Sequence, residues 1–222
     1  MWFFRKKKTI ENCGLLKGFT DFHSHILPGV DDGIKTMEMS LSVLSRYEEL
    51  GIQEVWLTPH IMEDYPNTTL FLRERFEELK EQYQGNITLH LAAENMLDSL
   101  FEERLEADDL LTIGTEGKRI LVETSYFNPP LGLFDLLEQI KQKGYTPILA
   151  HPERYYYMDI RDYVKLKEMN IQFQQNITSL VGAYGKDVKK KAEMIQNKGW
   201  VNYLGTDLHR LDSFNKLIQV GY

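Results

Sequence analysis

Short apolar, β-rich runs alternate with amphipathic helical stretches along almost the whole 222-residue chain. The runs are FTDFHSH (19–25), EVWLTPH (54–60), ITLHLAAEN (87–95), RILVETSY (119–126), TPILAHPER (146–154), IQFQQNI (171–177) and WVNYLGTDLH (200–209). Between them, TMEMSLSVLSRYEELG, TTLFLRERFEELKEQYQG, LFDLLEQIKQKG and DVKKKAEMIQNKG set apolar residues at helical spacing. Each ends on a glycine that reads as a stop: Gly51, Gly85, Gly144 and Gly199. Strands alternating with helices predict parallel βαβ units. Seven units with no domain break predict one α/β domain, a distorted TIM-like (β/α)7 barrel, with an open doubly wound sheet as the rival fold. No G-x-G-x-x-G turn follows the first run, which disfavours a dinucleotide-binding version of that rival.

A barrel of this kind gathers the C-terminal ends of its strands at one mouth. His23 and His25 close the first run, His60 the second, Glu94 the third and Glu123 the fourth. His151 closes the fifth, and Asp207 and His209 the seventh. Residues two apart on a strand face the same side, so His23 projects with His25 and Asp207 with His209. Taken singly, each motif has an ordinary explanation: a satisfied histidine pair, a capped turn, a strand exit at Pro152. Their joint placement is harder to explain, because only His90 of the six histidines falls mid-run, where it reads as structural. Imidazoles and carboxylates crowded into one cavity lose hydration and cannot all ionise unpaired. Divalent cations remove that cost. A mixed nitrogen and oxygen donor set suits manganese, iron or zinc, and the lack of thiolates disfavours structural zinc. So many donors exceed the needs of one ion; two ions are the minimum, and a third follows if Asp32 joins.

In this order, DFHSHILPGVDDG, TPH, AAEN, LVETS, AHPERY and GTDLH resemble the motifs of the polymerase-and-histidinol-phosphatase (PHP) superfamily. More narrowly they resemble its bacterial protein-tyrosine-phosphatase branch, linked to capsular and extracellular polysaccharide synthesis. The resemblance runs from Asp21 to His209 and implies a PHP-type distorted barrel with two or three divalent ions, commonly Mn2+, with Fe or Zn as alternatives. It maps the metal ligands onto His23, His25, Asp32, His60, Glu94, Glu123, His151, Asp207 and His209. It maps a catalytic, phosphate-binding arginine onto Arg154 of HPERY. The implied reaction is metal-dependent hydrolysis of phosphotyrosine, with His209 or a water as proton donor. The implied partner is the tyrosine-rich tail of a bacterial polysaccharide tyrosine kinase, which puts the enzyme in the cytoplasm beside the inner face of the membrane. The alternative is a PHP phosphoesterase acting on a small molecule such as histidinol phosphate. Amidohydrolase-like enzymes also open with H-x-H, but place a lysine where this chain has Glu123. Two positions depart from the pattern. Ile61 stands where many relatives carry a second histidine, and Arg210 stands in for a further substrate-binding arginine after the last motif.

Asp31 and Asp32 are adjacent, so they do not both face one ion; the family spacing selects Asp32 and leaves Asp31 to cap a helix or meet solvent. Asp21 shares the parity of His23 and His25, one layer deeper. It either orients an imidazole or makes a plain buried hydrogen bond. Tyrosines of RYYYMD and MEDYPN fall on loops at the mouth, as walls for a phenyl ring or as rim packing. Cys13 is the single cysteine, so no intramolecular disulfide forms, and Phe19 six residues on excludes a Cys-x5-Arg thiol phosphatase loop. Acidic residues outnumber basic ones 33 to 26, a formal charge of −7, which disfavours nucleic acid as a partner. No apolar run is long enough for stable membrane insertion. The opening MWFFRKKK reads as part of an N-terminal extension over 1–17, ahead of a metallophosphatase barrel over 18–222.

Overall fold

A computed structural model describes residues 7–221; the aromatics of the opening MWFFRKKK lie outside the described residues. The seven runs become nine strands: β1 (Thr20–Ser24), β2 (Glu54–Leu57), β3 (His60–Ile61), β4 (Thr88–Leu91), β5 (Glu94–Met96), β6 (Arg119–Glu123), β7 (Thr146–Ala150), β8 (Gln172–Asn176) and β9 (Tyr203–Gly205). They form two sheets, in the orders β1-β2-β4 and β3-β5-β6-β7-β8-β9, and every neighbouring pair is parallel. The extra strands arise because two expected runs are each interrupted, at Thr58–Pro59 and at Ala92–Ala93. Pro59 has no N–H to donate to a ladder. Past these breaks the chain changes partners: β4 pairs with β2, whereas β5 pairs with β3 and β6.

Single bonds stitch the two sheets together. The Glu94 N–H donates to the Pro59 carbonyl at 3.0 Å. On the far flank the Asp207 N–H donates to the His23 carbonyl at 2.8 Å and the His25 N–H to the Leu208 carbonyl at 3.0 Å. The result is a single α/β domain in which curled parallel sheets wrap a shared interior. Trp56, Ala92, Leu121, Ile148 and Ala150 are buried together there, with Phe22 and Tyr203 against them. Burying each large side chain of such a plug contributes roughly 1.5–3 kcal/mol, which anchors strand ends that must carry charge. Two residues beyond this plug, on the same strand faces, come Glu94 after Ala92 and Glu123 after Leu121.

The helices cover the outside. α1 (Met37–Leu50) is capped by the Thr36 side chain, which accepts from the Met39 N–H, and stops at Gly51 with φ 86°. It buries Ser40, Val43, Leu44 and Tyr47, the 3–4 spacing of one helix face. α4 (Leu133–Gln142) and α6 (Lys186–Asn197) end just before Gly144 and Gly199, as expected. α2 (Thr69–Gln82) stops short of Gly85, because Tyr83 leaves the helix to donate from its hydroxyl to Glu48 at 3.0 Å. Three helices go unannounced by periodicity: α3 (Ser99–Glu106), α5 (Ile160–Glu168) and α7 (Leu211–Ile218). Each spans little more than two turns, too short for a pattern to repeat, and caps at Asp98 and Asp159 start the first two. No described helix is long and apolar enough to cross a membrane.

Candidate active site

The residues singled out from sequence converge where the strands end. His23 lies in β1 and His25 one residue past it. Their Nε2 atoms are 3.1 Å apart, and Glu94 Oε2, from the start of β5, lies 3.1 Å from the first and 3.2 Å from the second. Asp207 Oδ1 closes the group at 3.6 and 3.4 Å from the same two nitrogens. Beside it, His60 Nδ1 lies 3.2 Å from Glu94 Oε2 and 3.0 Å from Glu123 Oε1. His151 Nε2 is 2.9 Å from Glu94 Oε1 and 3.8 Å from Glu123 Oε2. Further out, Asp32 Oδ1 sits 3.5 Å from His60 Nε2 and 3.4 Å from His209 Nε2. His90 is apart from all of these, stacked on Trp56 with ring centroids 4.5 Å apart.

Expected strand parity does not account for Asp207 and His209. β9 ends at Gly205, so both lie on the loop beyond it. What brings them in is a left-handed backbone at Asp207, φ 53°. His151, just past β7, is also left-handed at φ 31°. Only four described non-glycine residues take positive φ, and two of them are in this cluster. Such conformations persist where surrounding contacts over-determine them, and they favour functional sites.

Each inner histidine is held from behind. Asp31, expected to cap a helix or meet solvent, is instead buried. It accepts from His25 Nδ1 at 2.8 Å and from the Gly33 and His60 backbone N–H groups at 2.9 and 3.0 Å. The turn at Gly33, where a Cβ would lie 2.3 Å from the His25 carbonyl, folds Asp31 back under that ring. His23 Nδ1 meets Gln174 Oε1 at 2.8 Å. Gln174 in turn donates to Asn176 Oδ1 at 3.0 Å, and the Asn176 amide donates to Asp207 Oδ2 at 2.8 Å. Sequence reading missed this β8 relay; its signal is two polar residues at period two in a buried strand. Asp21 takes the plainer of its two expected roles. It accepts from the Thr206 N–H and hydroxyl and from Tyr47, tying β1 and α1 to the loop that carries Asp207. Burial pushes Asp21 up to about 6 despite the Thr206 hydrogen bonds.

Arg154 donates to Asp207 Oδ2 at 2.6 Å. It makes no pair with its neighbour Glu153, which is buried and accepts from the Asn176 N–H at 2.9 Å and the Ser179 hydroxyl at 2.8 Å. His209 stacks on His25 with centroids 3.9 Å apart. Arg210 is exposed at the start of α7. A cavity of about 490 Å³ opens over the outer donors, lined by Asp32, His60, Arg154, Asp207, His209 and Arg210. Of the mouth tyrosines, Tyr155 is buried with its hydroxyl on the Ala150 carbonyl, Tyr156 is exposed, and Tyr65 lies 6.2 Å from the His60 ring.

The donor set fits divalent cations. Donors about 2.1 Å from one ion and roughly 90–110° apart lie about 3.0–3.4 Å from one another. The measured separations fall in or near that range, and three groups of donor atoms each lie mutually within 4.8 Å: His23, His25, Glu94, Asp207; His60, Glu94, Glu123; and His25, Asp32, His60, His209. Glu94 Oε2 and His60 Nδ1 are buried without a hydrogen-bond partner among the described residues. Burial alone would lower the His23 imidazole, yet Glu94 and Asp207 raise it to about 9. The carboxylates therefore demand positive charge, the demand a divalent ion meets.

Fold and site define a class: a parallel α/β protein built around imidazole and carboxylate donors arranged for divalent cations. The chain belongs to the CpsB/CapC family of capsular polysaccharide synthesis, whose model matches residues 19–218. It is 29% identical to the tyrosine-protein phosphatase YwqE of Bacillus subtilis, over 88% of this chain and 79% of that protein. It is 27% identical to the tyrosine-protein phosphatase CpsB of Streptococcus pneumoniae, over 91% and 87%. A solved structure from the study of these two metal-dependent tyrosine phosphatases matches with a TM-score of 0.76 at 26% identity, covering 88% of this chain and 81% of the other.

Proposed function

We propose that this chain is a metal-dependent protein-tyrosine phosphatase, acting on a phosphotyrosine protein of capsular or extracellular polysaccharide synthesis. The observation that carries the reading is the convergence of donors on ion-sized spacings beneath an open cavity that an arginine lines. The names of the relatives supply the substrate class. The kinase tail is the partner we assign, and the cytoplasm at the inner membrane face the location. Residues 18–222 are read as the metallophosphatase unit. The two curled sheets, joined through β1 and the loop after β9, are read as one distorted (β/α)7 barrel of the PHP type.

Three ions, manganese by family resemblance with iron or zinc as alternatives, would divide the donors without asking one imidazole to serve two. His23, His25, Glu94 and Asp207 would hold the first; Glu94, Glu123 and His151 the second; Asp32, His60 and His209 the third. A neutral imidazole has one free lone pair, so His60 serves the outer ion through Nε2, and His151 completes the middle group. Bound there, divalent ions supply Lewis acidity to phosphoryl oxygens and bring the pKa of water towards neutrality. Asp31 and Gln174 hold the Nδ1 side of His25 and His23 and so aim each Nε2 inward. Arg154 grips non-bridging phosphoryl oxygens, where charge grows as the ester breaks. His209, at the rim, hands a proton to the departing oxygen. A tyrosine leaving group, with a parent pKa of about 10, needs less of that help than an alkyl alcohol. Arg210 adds positive charge at the entrance.

The deciding experiment combines metal analysis with turnover of a phosphotyrosine peptide, histidinol phosphate and a phosphodiester. Chelation should abolish peptide hydrolysis and manganese should restore it. Undiminished turnover by demonstrably metal-free protein, or a preference for histidinol phosphate, would overturn the reading.

A further inference from the structure

The Arg154 guanidinium has two aromatic neighbours that the family motifs do not predict. Tyr126, on the loop after β6, lies with its ring centroid 4.3 Å from the guanidinium carbon, and Tyr184 lies 4.2 Å from it. Both rings line the same cavity as Arg154. Each is placed by its own device. The Tyr126 carbonyl accepts from the Tyr156 N–H at 2.8 Å, which ties its loop to the one that carries Arg154. Tyr184 lies between Gly182 and Gly185, with φ of 81° and 96°, so the chain turns sharply on either side of it. Its hydroxyl accepts from the Asn176 amide, the same amide that donates to Asp207. One guanidinium nitrogen is committed to Asp207, which leaves the others as donors towards the cavity.

We propose that Tyr126 and Tyr184 are positioning residues that hold the Arg154 guanidinium in a fixed plane and strip its water. Through Arg154 they set the affinity of the site for a phosphoryl group. A flanked guanidinium keeps its in-plane N–H groups free while losing hydration over its faces, so an incoming oxyanion displaces less solvent. This rests on the reading of Arg154 as the phosphate-binding arginine. Rings that merely packed the rim would act without reference to Arg154.

The test is inorganic phosphate binding by calorimetry to the manganese-loaded full chain, with metal content measured in each preparation. Tyr126→Leu and Tyr184→Leu should each weaken phosphate about tenfold at unchanged metal content, and Tyr184→Phe should recover most of that loss. In an Arg154→Ala background neither leucine substitution should change the remaining affinity by more than about twofold, the signature of coupling through one group. A full-sized effect of the leucine variants without Arg154, or no effect of either with Arg154 present, overturns the proposal. Should one leucine variant fail to fold, the cycle with the other decides. Phosphotyrosine-peptide turnover in the same preparations separates the two readings: coupled phosphate binding without turnover supports the tyrosines' role and removes the phosphatase assignment.

Discussion

His23, His25 and Glu94 have no exposed side-chain surface, whereas Asp32 is 52% and His209 28% exposed. The donor spacings of the two regions are nonetheless alike, 3.1–3.6 Å in the inner group and 3.4–3.5 Å in the outer. The inner residues sit on or beside strands, above an apolar plug, and each histidine has its own partner behind it. The outer residues hang on loops that border the cavity. Burial alone would raise Glu94, yet His23 and His60 hold it well below the carboxylate range. Asp32 is lowered chiefly by its hydrogen bond to His209, a neighbour that is itself half in water. Similar geometry thus rests on different physics: a floor organised by packing before any ligand arrives, and a rim whose ion pairs water screens.

The largest expected contrast comes from Glu94→Ala, which removes a donor shared by two groups. Bound metal should fall by at least half, and aryl-phosphate turnover by about 10³-fold or more. Normal metal content in that variant would erase the distinction between floor and rim. Asp31→Asn keeps the shape behind His25 but removes the charge on Nδ1. Metal affinity should drop about 10–100-fold, measured by competition with a chromogenic chelator. An unchanged affinity would mean that packing alone orients His25. Asp32→Asn should weaken only one metal equivalent, about tenfold, leaving the others in place by elemental analysis. Loss of every equivalent would show floor and rim to be one cooperative unit. Smallest of all, Arg210→Ala should change kcat/KM for a phosphotyrosine peptide by less than about threefold at 150 mM salt, because an exposed charge acts through water. A larger effect that persists at 1 M salt would place Arg210 in direct contact with substrate.

Reading along the sequence found the strand ends and their donors, because hydrophobic runs and the residues that terminate them are local features. It also found Gly51, Gly144 and Gly199, each of which follows a helix in left-handed backbone. It failed where a residue's role depends on something distant in the chain. Asp31 looked like a cap until the turn at Gly33 folded it under His25. Gln174 and Asn176 looked like ordinary strand polar residues until β8 lay between β7 and β9. Tyr184 carried no signal at all, since only the packing of its loop brings it to Arg154, thirty residues earlier.

By itself the chain's order of residues determined the parallel α/β plan and which side chains would crowd one end, since periodicity and strand termination act over a few neighbours. Tertiary structure alone decided which donors share an ion-sized space, which histidine is held by which acceptor, and which rings flank Arg154. Those relations are fixed by distances of about 3–4 Å between groups as much as 185 residues apart, as between Asp21 and Thr206. Only the folded packing of both sheets sets such distances.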